Sequence, residues 1–179
     1  PNFAEHAQKI FDSVRSSGAV ILLSDATFEG DAVDQRSAPP DPGYRLSSPH
    51  VETRSVVFAP FRALADAAAG FGHNLFVLDP DGPLRHTVPY VRSPSGALPS
   101  LGLAAAIRAA GIRPEDVRSD PSGLRLGNRV MPLSLRRTSS RSGVRAYEWG
   151  LVNFRGPALL ADLTHRPYPT YSFFDLLFS

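Results

Sequence analysis

The pattern of apolar and polar positions in the first residues predicts an amphipathic helix followed by a strand. Apolar residues recur at helical spacing, at Phe3, Ala7, Ile10, Phe11 and Val14. Asn2 with Glu5 resembles a capping box, and Gly18 suits the C-terminal cap. The unbroken apolar run 19–23 is typical of a strand that is covered on both faces. A helix that leads into such a strand indicates an α/β layer.

The middle of the chain alternates short apolar runs with turn residues. Residues 61–69 have helical spacing and predict a short helix. The runs 74–78 and 84–92 flank the Asp-Pro-Asp-Gly segment 79–82, which predicts a hairpin around that turn. The Ala-rich segment 99–110, with Pro at its start and Gly after its end, predicts another helix.

The last third of the chain predicts more short strands. Residues 124–133 indicate a hairpin around the Gly-Asn pair 127–128, and the Ser/Arg-rich residues 135–143 indicate a loop. Residues 151–154 predict a further strand. Together these patterns predict an α/β fold, with a mixed sheet of short strands and hairpins and helices packed on it, in a single domain.

Residues 25–55 are rich in Pro, Gly and acidic side chains, and they predict a long surface loop within the domain 1–179. The acids of residues 25–41 could gather a divalent cation, since hard cations prefer several carboxylate oxygens. They could equally keep the loop soluble, and their irregular spacing favours that second interpretation.

Composition excludes several classes of protein. The chain has 179 residues, is 42% hydrophobic and contains no Cys, so it is neither a disordered tail nor a disulfide scaffold. Without Cys there is no thiolate zinc site and no Cys nucleophile. The net charge is only +2 and the arginines are scattered, so no nucleic-acid partner is predicted. No apolar run approaches the ~20 residues that span a bilayer.

No local motif predicts a metal, a cofactor or a catalytic centre. None of the five histidines is three or four residues from another, so no helix face offers two imidazoles to a metal. Phosphate-loop, dinucleotide-binding and Gly-x-Ser-x-Gly motifs are all missing from the sequence. Scattered Ser, His and Asp residues leave open a hydrolase whose site forms only in three dimensions.

The apolar run 151–154 contains a polar Asn153 and is followed by Arg155 and then by an aromatic turn with Tyr171. A polar side chain within an apolar strand is costly unless it is hydrogen-bonded. These residues predict either a polar pocket or a network that specifies the fold, and the second interpretation is favoured.

An ordered series of motifs resembles the type-two CHASE domain, an extracellular sensory domain. The matching segments are Gly72-His73-Asn74, Asp79-Pro80-Asp81-Gly82 with Arg85, Pro99-Ser100-Leu101, Val152-Asn153-Phe154-Arg155-Gly156, Tyr168-Pro169-Thr170-Tyr171-Ser172 and Asp175-Leu176-Leu177. They follow the family's order over about residues 1–179. The family's domain usually begins with an earlier strand and ends with a later one, so we expect the domain to extend beyond both ends of this chain.

The resemblance implies the input domain of a bacterial membrane protein such as an adenylate cyclase, histidine kinase or Ser/Thr kinase. It implies no catalysis by this domain, a place on the extracellular or periplasmic face, and transmembrane helices elsewhere in the protein. The implied partners are an unknown small-molecule or protein stimulus and an effector domain of the same chain, and the resemblance also allows a homodimer. The family supplies no agreed ligand residues, so Arg85, Asn153, Arg155 and Tyr171 are candidates for a pocket or a structural network.

Two other functions stay open at the level of sequence. A hydrolase with a nonlocal Ser/His/Asp site predicts an imidazole within hydrogen-bond reach of a hydroxyl or carboxylate in a cleft. A ligand-free cell-surface interaction module predicts a sizeable exposed apolar patch and no concave pocket.

Overall fold

The first helix and the first strand form where the apolar pattern predicts them. A computed structural model describes residues 3–27, 40–54, 57–79, 81–140 and 143–152. Helix α1 covers Phe3–Ser17 and ends at Gly18, whose φ of 57° is the left-handed conformation that suits a helix C-terminus. Strand β1 covers Ile21–Ser24.

The described residues contain two further helices and ten further strands. The helices are α2 (Arg62–Ala65) and α3 (Leu101–Ala109), and a short 3-10 turn covers Pro114–Asp116. The strands are β2 (Glu52–Thr53), β3 (Gly70–His73), β4 (His86–Thr87), β5 (Tyr90–Ser93), β6 (Gly96–Pro99), β7 (Val117–Asp120), β8 (Gly123–Leu126), β9 (Arg129–Pro132), β10 (Ser134–Ser140) and β11 (Gly143–Leu151).

Within the described ranges these strands form four small sheets. Strands β1 and β3 pair in parallel, and β2 pairs in parallel with β5, which is antiparallel to β6. Strands β7, β8 and β9 form an antiparallel meander, whereas β11 lies between β10 and β4. The predicted α/β class, with short strands, hairpins and packed helices, is confirmed.

The β5–β6 hairpin separates two hydrophobic clusters. Val91 and Leu98 are opposite each other in the hairpin and both lie in the first cluster, with side chains of β3 and β11. Tyr90 and Ala97 belong to the second cluster, which includes Ile107 of α3 and side chains of β7 and β8. Because successive side chains of a strand point to opposite faces, this hairpin buries both of its faces.

Several local predictions are wrong, and each error has a nonlocal cause. The ladder with β1 includes residues 70–73, so no strand forms over 74–78 and no hairpin forms around the Asp-Pro-Asp-Gly turn. Strand β4 instead pairs with β11. Residues 135–143 were predicted as a loop, but 134–140 form a strand because cross-strand partners in β11 satisfy their backbone.

Two smaller corrections concern exposure and helix length. The run 19–23 is not covered on both faces, since Leu23 is 47% exposed. The helix predicted over 61–69 forms only at Arg62–Ala65, because Gly70 already belongs to β3. The turn at 79–82 is confirmed by the bond from the Gly82 amide to the Asp79 carbonyl, at 2.8 Å.

Candidate functional site

Of the four residues singled out from the sequence, the structure describes Arg85. Its guanidinium forms two hydrogen bonds of 2.8 Å with the carboxylate of Asp81 and also lies 3.4 Å from Asp79. Its backbone carbonyl accepts from the Val152 amide at 2.9 Å. Arg85 therefore joins the Asp-Pro-Asp-Gly turn to the end of β11. The other candidates, Asn153, Arg155 and Tyr171, lie outside the described residues.

The turn also carries a cluster that sequence reasoning missed, formed by Asp79, His86, Arg136 and Trp149. Asp79 accepts a hydrogen bond from Arg136, and the Arg136 Nη1 atom lies 3.1 Å from the His86 Nδ1 atom. The Trp149 ring packs against both: its centroid lies 4.8 Å from the His86 centroid in an edge-to-face arrangement and 5.6 Å from the guanidinium carbon of Arg136. These contacts fasten the turn and β4 to the β10–β11 hairpin.

Electrostatic interactions in this cluster keep the Asp79 carboxylate ionised and the His86 imidazole neutral. The hydrogen bond from Arg136 holds the pKa of Asp79 below its ordinary value. Burial, and then the positive charge of Arg136, lower the pKa of His86, while Asp79 opposes the shift. The cluster is a structural ion pair whose arginine packs against an aromatic ring.

We expect Arg136→Met to lower the free energy of unfolding by about 2 kcal/mol, because it leaves the Asp79 carboxylate without its main donor. The matched control is Arg137→Met, since Arg137 is the exposed neighbour on the same strand. That control should change stability by less than about 0.5 kcal/mol. Urea unfolding of the two variants measures the difference, and equal losses would contradict a specific role for Arg136.

A second site is a cleft of about 290 Å³ between α3, the β1–β3 edge and the segment 41–44. Its apolar lining includes Ile21, Ala69, Phe71, Ala104 and Ile107, of which the last three are buried. Small side chains at the start of β3 and on the inner face of α3 leave this space, because larger ones would fill the gap between helix and sheet. The volume is close to the lower end of the range typical of small-molecule pockets.

Polar groups stand at the rim of this cleft. Asp41 pairs with Arg45 at 2.9 Å and accepts from the Gly43 amide, and the hydrogen bond from Arg45 lowers the pKa of Asp41. Tyr44 is half-buried, and burial raises the pKa of its phenol. Arg108, on α3, donates to the carbonyl of Gly18. Within the described ranges, no carboxylate pairs with the Arg108 guanidinium.

The geometry tests the hydrolase hypothesis at His86 and His73. His86 lies 3.3 Å from a carboxylate oxygen of Asp79, but its ring is 0% exposed and no described hydroxyl contacts it. His73 is also buried, and its Nδ1 atom accepts from the Leu75 amide at 3.1 Å. Neither imidazole lines the cleft beside the β1–β3 edge. His73 lines a separate cleft that Ser100 also lines, but no described hydroxyl forms a hydrogen bond with either ring.

Two observations concern metals and membranes. Among the residues that the structure describes, no three His, Asp or Glu side chains come together as ligands for a metal ion. No helix in this part of the chain is both long and apolar enough to cross a bilayer.

Only faint signals in the sequence could have indicated these sites. The Ala-rich residues before Gly70 indicated a segment of small side chains, which can leave space for a cleft. Tyr147 and Trp149 are two residues apart and mark one face of β11, which packs on the first cluster, but this signal is informative only once residues 134–140 are known to be a strand.

The fold and the two sites define a small α/β domain with a clamped turn and a ligand-sized cleft. A model of the CHASE2 domain family matches residues 3–178, and the chain belongs to that family. CHASE2 is an extracellular sensory domain family, not a catalytic one, and is usually found in signalling proteins. The search of curated proteins found no match, nor did the search of solved structures.

Proposed function

We propose that this chain is the input domain of a bacterial membrane-bound signalling protein, such as an adenylate cyclase, histidine kinase or Ser/Thr kinase. The observation that carries the proposal is the match of the sensory family over residues 3–178. The domain lies on the extracellular or periplasmic face, and the effector domain of the same chain lies across the membrane.

The proposed mechanism is a shift between two conformations of the domain. A stimulus that binds one conformation more tightly raises its population, and that change biases the effector. A ligand with equal affinity for both conformations would transmit nothing. The cleft next to α3 supports this mechanism because its walls come from separate elements, α3, the β1–β3 edge and the segment 41–44. A homodimer would let two input domains act on one paired effector.

Cysteine labelling of the full-length protein tests the location. The chain has no Cys, so Ala63→Cys introduces one thiol into this domain, at an exposed position of α2. We expect a membrane-impermeant maleimide to label it in intact cells whose outer envelope has been made permeable.

The matched control is Leu98→Cys, because Leu98 is fully buried in the β5–β6 hairpin. The Leu98→Cys thiol should react only when the domain unfolds. This variant therefore distinguishes labelling of an exposed thiol in the folded domain from labelling caused by damage to the domain. If the Ala63→Cys thiol reacts only after cell lysis, the proposed location is wrong.

A further inference from the structure

We propose that the cleft between α3 and the segment 41–44 binds a small organic carboxylate with an apolar body. The carboxylate pairs with Arg108, and the apolar body lies on the floor that β1, β3 and α3 provide. Binding itself is a property of this domain alone, whereas the role of the ligand as stimulus rests on the proposed function.

Arg108 is placed to receive an anion. One of its terminal nitrogens, Nη2, donates to the Gly18 carbonyl directly after the end of α1, which fixes the guanidinium at the rim. A cation at the C-terminal end of a helix is favoured by the helix dipole. The remaining donors of the planar guanidinium suit a carboxylate, and no carboxylate in the described part of the chain pairs with Arg108.

The floor selects an apolar body. Ile21, Phe71, Ala104 and Ile107 present hydrocarbon to the cleft, and burial of hydrocarbon is the main source of favourable binding free energy. Few charged side chains line the cleft, so a ligand that is charged along its whole length would lose hydration without compensation.

Arg108 sets the orientation of the ligand carboxylate within the cleft. Asp41 also lines the cleft, but its carboxylate already pairs with Arg45. A ligand carboxylate is attracted to Arg108, so it points toward α3. The cleft volume of about 290 Å³ limits the ligand to a small molecule.

Calorimetry on the purified 179-residue chain tests the proposal with three probes that share one branched carbon skeleton. The probes are isocaproate, which is a carboxylate, isohexanol, which is neutral, and isohexylamine, which is a cation. We expect isocaproate to bind at least about 10-fold more tightly than the other two, as expected for one charge-assisted pair. Equal binding of isocaproate and isohexanol, or no binding of isocaproate, would overturn the proposal.

Paired variants locate the site. Arg108→Gln should weaken isocaproate binding by at least about 10-fold, whereas Arg129→Gln, which removes an exposed arginine of β9, should leave it unchanged. Ala69→Phe places a ring in the cleft from an exposed backbone position and should abolish binding, whereas Ala63→Phe on α2 should not.

Two further readouts separate the possible failures. Circular dichroism must show that Ala69→Phe is folded. If this variant is unfolded, the comparison of Arg108→Gln with Arg129→Gln alone decides where isocaproate binds. Binding that survives Arg108→Gln would overturn the site. Failure of cysteine labelling in intact cells would overturn the location of the domain but leave carboxylate binding standing.

Discussion

Acidification from about pH 8 to about pH 5 should cost this protein about 2 kcal/mol of unfolding free energy through His73 alone. His73 is 1% exposed, and burial, followed by the charge of Arg54, lowers its pKa from 6.5 to about 3. The unfolded chain therefore takes up a proton near pH 6.5, while the folded protein does not until about pH 3. Because the unfolded state binds more protons in this window, stability falls as the pH falls.

The test compares urea unfolding of the parent protein and His73→Asn at both pH values. The Asn carbonyl can accept from the Leu75 amide as the His73 Nδ1 atom does, but Asn does not titrate. His86, whose pKa is also lowered, acts in the same direction and remains in both proteins. The loss between the two pH values should be about 2 kcal/mol smaller in His73→Asn. The control is His50→Asn, an exposed position, which should keep the full loss. A full loss in His73→Asn would disprove the linkage.

Gly72→Ala should destabilise the protein by about 3 kcal/mol or more. A Cβ atom at Gly72 would lie 2.4 Å from the Cα atom and 2.7 Å from the amide nitrogen of Leu101. Both are backbone atoms at the start of α3, so they cannot move without shifting the helix. Since α3 packs on β3 and forms one wall of the cleft, the same variant should also weaken binding of isocaproate.

The control for this substitution is Gly102→Ala in the first turn of α3, where an added Cβ meets no atom within 4 Å beyond its neighbours and the backbone of its own helix. Alanine is the better helix former, so this variant should gain about 0.5–1 kcal/mol. Thermal unfolding of both variants gives the two signs directly. A neutral Gly72→Ala would mean that β3 and α3 are not in close contact.

The sequence predicted the elements that depend on nearby residues. Helix α1 and its Gly18 cap, the turn at 79–82 and the hairpin around the Gly-Asn pair 127–128 all form as predicted. These elements are fixed by side-chain periodicity and by the conformations that Gly and Pro allow, which act over a few residues. The ordered motifs also predicted the family, which the match over 3–178 confirms.

Strand partners were not predictable in the same way. The sequence predicted a strand over the apolar run 74–78, but β1 pairs with 70–73. Likewise, the Ser/Arg-rich segment 134–140 has the composition of a loop and becomes a strand only opposite β11. Strand propensity depends on the residues of the neighbouring strand, so tertiary context decides whether a segment forms a strand.

By itself, the sequence determined the α/β class, the local helices and turns, and membership in a sensory family. Only the tertiary structure decided which distant polar groups meet, since Arg136 reaches the Asp79 carboxylate across 57 residues and Arg108 reaches the Gly18 carbonyl across 90. The cleft has the same origin, because its floor and rim come from α3, the β1–β3 edge and the segment 41–44. Contacts between distant segments depend on how the whole chain packs, and the spacing of neighbouring residues does not determine that packing.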